Sequence, residues 1–300
     1  MRRLLGVMVV IVVLGACSAG GASGGQADGR PKVVAAFYPL FEAAQRVGGD
    51  HVAVSNLTPA GGEPHDLELS SRQVDRIEDA AVVLFFGQGF QPALEKAAGR
   101  AKGTKVDLLS EADSLLKAPP GDDKLEVDPH VWLDPSLLKA MVSKVATALS
   151  AADPANRADF EANAAAYSRE LDGLDDAFRQ GLAKCDRRVL VTSHAAFGYL
   201  ARRYGLTQEA IAGLEPEAEP SPQRLAELAS NVRADGTRTI FYETLVSPKV
   251  AQSLAREAGV STAVLDPLEG LSDEDAKAGK NYVSVMNDNL AAIRLALGCR

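Results

Sequence analysis

The chain has 300 residues, 46% of them hydrophobic and 24% charged, with a formal net charge of −8. That balance argues against nucleic acid as a partner, because phosphate contacts need clustered Lys and Arg, and it is compatible with attracting a cation without demanding one. With only three cysteines and four histidines, the position of each one matters.

The chain opens with Met1-Arg-Arg, an apolar run from Leu4 to Leu14, and then Gly-Ala-Cys17. A basic start, a short apolar core and small residues before a cut form a secretory signal, and the run is shorter than the about 20 residues a permanent span needs. Leu14-Gly-Ala-Cys17 resembles the bacterial lipobox, whose cysteine thiol takes a diacylglyceryl group; the alternative is an ordinary signal peptide with a chance cysteine. Residues 1–16 therefore read as a lipoprotein signal and Cys17 as the lipidated residue. The Gly/Ser/Ala-rich stretch 17–30 reads as a flexible tether, leaving the protein anchored to the outer face of a bacterial cell membrane.

From Lys32 the pattern changes. Apolar runs Lys32–Phe37, Val52–Leu57, Ala81–Phe86 and Lys105–Leu109 have strand length. Helical spacing follows the first as far as Val47 and recurs over Leu69–Ala80 and Pro92–Ala101. Alternating strand and helix predicts a parallel sheet covered by helices. Residues 117–128 carry prolines and acids and read as a solvated loop. Asp128-Pro-His-Val-Trp-Leu-Asp-Pro135 then leads into a helix over Ser136–Leu149, with Asp134 to cap it and Pro135 in its first turn. A second cap and proline, Asp153-Pro154, precede Phe160, Ala164, Tyr167, Leu171, Leu174, Phe178 and Leu182. That spacing of four and three predicts one helix over Pro154–Leu182, roughly 43 Å long, long enough to link two lobes.

The alternation resumes with strands at Arg188–Thr192, Glu209–Ala212, Arg238–Tyr242 and Ser261–Leu265. Helices are expected over Ala195–Tyr204, from Ser221-Pro222 through Val232, over Pro248–Gly259 and over Tyr282–Leu297. The expected architecture is α/β: two lobes, 31–152 and 185–300, each a mostly parallel sheet flanked by helices, joined by a linking helix within 153–184. Cys185 and Cys299 form an even pair that outside the cell reads as a disulfide pinning the tail. Two free thiols ligating metal is the weaker alternative, since neither has a Cys or His at close spacing.

In parallel sheets ligands bind beyond the carboxyl ends of strands. His65, His194, Glu243 and Asp266 all follow predicted strands, and His130 sits in a stiff loop ahead of a helix. A single such histidine is more often an ordinary core or surface residue. Three at loop–helix junctions predict imidazoles meeting around one metal ion in the interlobe cleft. Three imidazoles and a carboxylate suit Zn²⁺; Mn²⁺ accepts the same set but prefers more oxygen. Glu243 reads as support rather than ligand and Trp132 as a packing anchor. Glu215, Glu217 and Glu219 are either partners for imidazole N–H groups or a solvated loop. His51 opens a strand and is assigned to the surface.

Four stretches, Asp128–Pro135, Thr192-Ser-His-Ala-Ala-Phe-Gly-Tyr-Leu200, Gly213-Leu-Glu-Pro-Glu-Ala-Glu-Pro-Ser-Pro222 and Leu265-Asp-Pro-Leu-Glu269, resemble the zinc/manganese solute-binding lipoproteins of bacterial ABC importers (the cluster A-I, or cluster 9, group). The resemblance runs from Lys32 to the last helix. It implies ligands at His65, His130, His194 and Asp266, an ABC permease as partner, a monomer, and zinc over manganese, because His194 stands where manganese members tend to have Glu. The His-rich loop that many zinc members carry before the Asp-Pro-His motif is missing here; the segment is short and acidic, with Asp122, Asp123 and Glu126. Alternatives of other classes are a zinc hydrolase, if water rather than Asp266 takes the fourth position, and a surface adhesin in which the metal is structural.

Overall fold

The computed structural model describes residues 29–110, 112, 114–119 and 124–300; the expected signal, Cys17 and most of the tether lie outside them. In the first lobe, β1 (Lys32–Ala35), α1 (Tyr38–Gly48), β2 (Ala53–Asn56), α2 (Ser71–Glu78), β3 (Val82–Phe85), α3 (Pro92–Ala98) and β4 (Thr104–Asp107) build a parallel sheet in the order β2-β1-β3-β4. The register pairs Val33 with Val54 on one side and with Val82 on the other. Val33, Val34, Val82 and Val83 are buried, as β-branched residues of a sheet covered on both faces should be.

Helix α4 (Pro135–Ala152) starts where Asp134 accepts the Ser136 N–H at 2.8 Å. A 3-10 turn, Pro154–Asn156, separates it from α5 (Arg157–Gly181). The linking helix is therefore 25 residues, about 37 Å, and starts three residues later than the sequence suggests. Phe160, Ala164, Tyr167, Leu171, Leu174 and Phe178 form its buried stripe, which meets α1 and α4 and, on the second-lobe side, the last helix.

The second lobe repeats the plan with β5 (Val189–Thr192), α6 (Gly198–Tyr204), β6 (Thr207–Ala210), α7 (Pro222–Ala234), β7 (Thr239–Tyr242), α8 (Lys249–Ala258) and β8 (Ser261–Val264), again parallel in the order β6-β5-β7-β8. The short α9 (Asp273–Lys277), capped by Ser272, was not anticipated; α10 (Tyr282–Leu297) ends the chain. Two boundaries move for local reasons. Helix α6 begins after Phe197 because the Ala195 N–H is taken by the Gly213 carbonyl. Strand β6 begins at Thr207 because that residue pairs with Val189.

Cys185 and Cys299 form the expected disulfide, closing 114 residues and tying the tail to the start of the second lobe; a loop of that size is worth about 5 kcal/mol in the chain-entropy picture. One hydrophobic core runs unbroken from Val33 and Phe37 through α4 and α5 to Phe197, Leu265, Tyr282 and Ile293. The lobes therefore share a core rather than meeting across a wet seam.

Candidate metal centre

The carboxyl ends of both sheets face one another, and the loops leaving them supply the site. Ser193 and His194 follow β5 directly, Glu243 follows β7, and the Leu265–Glu269 segment follows β8. His65 ends the Gly/Pro loop after β2, and His130 stands just before the 3-10 turn Val131–Leu133 that leads to α4. Trp132, fully buried against Phe37 with ring centroids 4.9 Å apart, donates its indole N–H to the Pro267 carbonyl at 2.7 Å. It is a packing anchor, and it also staples the first lobe's histidine loop to the second lobe's acidic one. The Tyr282 hydroxyl holds the Trp132 carbonyl at 2.6 Å.

His65, His130, His194 and Glu269 converge, each offering one ligand atom, with all four atoms within 4.8 Å of one another. Glu269 Oε1 lies 3.3 Å from His65 Nε2, 3.1 Å from His130 Nε2 and 3.4 Å from His194 Nε2. His130 Nε2 and His194 Nε2 are 3.3 Å apart. Behind them, Asp128 Oδ1 takes His130 Nδ1 at 2.7 Å and the His130 backbone N–H at 2.9 Å. Glu243 Oε1 takes His194 Nδ1 at 2.6 Å and also accepts from the Ser193 hydroxyl. A carboxylate on Nδ1 puts the proton there and turns the Nε2 lone pair inward. His65 is held differently. Its Nδ1 has Glu215 at 3.7 Å, an ion-pair distance too long for a hydrogen bond. Its ring meets the Phe90 edge at 4.8 Å, and Gln91 fixes its loop by donating to the Pro64 carbonyl at 3.0 Å.

Burial disfavours the charged form of the His65 imidazole, but Glu215 and Glu269 outweigh it and push His65 up to about 9. His194, buried as well, is raised well above its ordinary value by Glu243 and Glu269. Burial acts to raise Glu269, and the histidines overcome it, holding the carboxyl well below the usual range. Glu63, partly buried and against Glu269, is pushed up to about 8.

The resemblance implies Asp266 as the fourth ligand, whereas the carboxylate that the structure places among the imidazoles is Glu269. Asp266 is spent on its own turn: Oδ1 accepts the Leu268 N–H at 2.7 Å and Oδ2 the Thr244 hydroxyl at 3.1 Å. Asn289 grips the Asp266 backbone at both N–H and carbonyl. That Asx turn carries Leu268 at φ +57° and delivers Glu269 to the site. Burial pushes the Asp266 carboxyl up to about 6. Glu217 and Glu219 are exposed, so of the loop's acids Glu215 is the one beside an imidazole. His51 lies at the surface, paired with Asp159 at 3.0 Å. Asp128 and Glu269 both lie inside the motifs Asp128–Pro135 and Leu265–Glu269, yet nothing in their spacing separates support from ligand.

A family model described as zinc-uptake complex component A, periplasmic, matches residues 33–296. The zinc-binding lipoprotein AdcA of Streptococcus pneumoniae is 41% identical over 281 residues, 90% of this chain and 56% of that protein; this chain thus spans little more than half the length of such relatives. The high-affinity zinc uptake system protein ZnuA of Bacillus subtilis is 32% identical, covering 96% of this chain and 94% of its own. Among solved structures, the Zn(II)-bound ZnuA-like domain of S. pneumoniae AdcA superposes with a TM-score of 0.77 at 41% identity, covering 90% of this chain and 99% of that one. The laminin-binding protein Lmb of Streptococcus agalactiae, described as having adhesin and metal-transporting activity, gives 0.80 at 29% identity, covering 89% and 99%. The same two-sheet plan and 264 matched residues settle the family: this chain belongs to the zinc-uptake component A (ZnuA) family.

Proposed function

We propose that this chain is an extracytoplasmic receptor that binds Zn²⁺ between its lobes at His65, His130, His194 and Glu269 and hands it to an ABC permease. The observation that carries the reading is the convergence of three imidazole nitrogens and one carboxylate oxygen, drawn from both lobes, within 4.8 Å. Four donors of that kind fit the tetrahedral preference of Zn²⁺, and the paucity of oxygen disfavours Mn²⁺. Four protein donors also leave no position for an activated water, which favours carriage over hydrolysis. The metal-bound AdcA domain of like fold supports the same reading.

The division into a signal (1–16), a tether (17–30), two lobes (31–152 and 185–300) and a linking segment (153–184) belongs to this proposal, as do lipid anchoring through Cys17 and a monomeric state. An adhesive role has one specific support, the description of the Lmb relative, and is tested by laminin binding with and without metal. The receptor reading is tested by titration calorimetry: one Zn²⁺ per chain, bound tightly and not displaced by equimolar Mn²⁺. A protein that takes no Zn²⁺, or binds Mn²⁺ in preference, overturns it.

A further inference from the structure

Helix α10 supplies none of the four donors, yet its buried face carries two polar groups among apolar side chains. Around the buried Val285, Met286, Leu290 and Ile293 sit the hydroxyl of Tyr282 and the amide of Asn289, residues that are 0% and 3% exposed. A leucine in place of Asn289 would fill such a face without the cost of burying an amide.

Both polar groups are committed to loops of the metal centre. The Tyr282 hydroxyl donates to the Trp132 carbonyl at 2.6 Å, and Trp132 stands two residues after His130. Asn289 accepts the Asp266 N–H at 2.9 Å and donates to the Asp266 carbonyl at 2.7 Å, and Asp266 stands three residues before Glu269. Tyr282 and Asn289 are seven residues apart. At about 3.6 residues per turn they share one face, roughly 10 Å apart along the axis. The first turn is itself fixed to the first lobe, where Glu42 Oε2 on α1 accepts the Tyr282 backbone N–H at 2.7 Å. One rigid element thus touches the loop of His130 and the loop of Glu269, whose Nε2 and Oε1 atoms are 3.1 Å apart.

We propose that α10 is the gauge of the metal centre. Tyr282 and Asn289 are positioning residues that hold the His130 and Glu269 loops at a set separation, so the helix determines how closely carboxylate meets imidazole around Zn²⁺. This rests on the receptor reading above. A donor already held within about 0.5 Å of its working geometry binds directly. One on a loosened loop must first be ordered, and that weakens binding.

The test is competition of the full chain against a chelator of known zinc affinity. Asn289→Ala should weaken Zn²⁺ about tenfold. Tyr282→Phe, which loses one hydroxyl and keeps the ring, should weaken it about three- to tenfold, the weight of a group acting behind a ligand. Asn287→Ala, on the exposed side of the same helix, where the amide donates to the Val283 carbonyl, should match the parent. Two combinations separate positioning from general support. Added to Glu269→Ala, Asn289→Ala should cost less than about twofold more, because the carboxylate it places is gone. Tyr282→Phe and Asn289→Ala together should lose less than the product of their single losses, although sites about 10 Å apart are otherwise independent. Losses that multiply overturn the proposal, as does an Asn289→Ala loss as large without the Glu269 carboxylate as with it. Should Asn289→Ala not fold, Tyr282→Phe decides: a loss that vanishes in a His130→Ala background supports the gauge, and one that persists there overturns it. Parent affinity in both single variants sinks the gauge alone, whereas failure of the parent protein to bind Zn²⁺ sinks the receptor reading and the gauge with it.

Discussion

Two of the site's imidazoles are built into place and the third is only leaned upon. His130 and His194 each press Nδ1 against a buried carboxylate, at 2.7 and 2.6 Å. His65 has its nearest acid at 3.7 Å and is located instead by its backbone, by Phe90 and by the Gln91 grip on Pro64. The rigid pair comes from different lobes, and Trp132 and Tyr282 fix the lobes to each other beside it. In the proposed receptor the contrast separates two tasks: His130, His194 and Glu269 would define where a metal sits, and His65 would close the set from a Gly/Pro loop.

The comparison breaks first at the donors themselves. Binding free energies of about 10–16 kcal/mol shared over four ligands put one ligand at about 10²–10³-fold in affinity. His130→Ala and Glu269→Gln should each lose that much by competition against a chelator of known affinity; full affinity in Glu269→Gln would return the fourth place to another group. One step smaller is the loss of a carboxylate behind an imidazole. Asp128→Asn and Glu243→Gln should weaken Zn²⁺ about 10–100-fold, whereas Glu215→Gln, whose carboxylate stands 3.7 Å from His65 Nδ1, beyond hydrogen-bond reach, should cost less than about threefold. Equal losses at Glu215 and Asp128 would erase the distinction between held and leaned-upon histidines.

Protons compete for the same nitrogens. With His65 raised to about 9, the metal-free protein carries a proton there at neutral pH that Zn²⁺ must displace, and His194 is raised in the same direction. Affinity should therefore climb as pH rises toward 9, by up to about tenfold per pH unit for each proton released. The sign for stability runs the other way. A folded-state value above the unfolded one stabilises the metal-free fold fully below about 6.5, and that contribution fades as pH rises through about 9. The increase in melting temperature produced by Zn²⁺ should thus widen between these limits. Calorimetry in two buffers of different ionisation enthalpy counts the protons; none released at pH 7.5 would show that the imidazoles wait uncharged.

Periodicity and capping made the fold legible. The valine-rich strands, Asp134-Pro135 and the four-and-three stripe from Phe160 to Phe178 are local signals, and local physics decides them. The three histidines were legible because each stands at a loop–helix junction. Asp266 and Glu269 were not separable, because both lie in one short loop and only the Asx turn, with Leu268 at φ +57°, decides which carboxylate faces the imidazoles.

The smallest expected effect is the control for all of these. His51 ends a 3-10 turn in the first lobe, its side chain 38% exposed, beside Asp159 at 3.0 Å and edge-on to Phe160. An exposed pair of this kind is worth about 0–1 kcal/mol, so His51→Ala should shift the melting temperature by no more than a few degrees (about 2–4 °C per kcal/mol at this size). Zinc affinity and proton release should stay at parent values, because His51 is not in the donor set. A measurable loss of zinc in His51→Ala would mean that histidines act here through charge or number rather than position. The distances around Glu269 would then no longer explain binding.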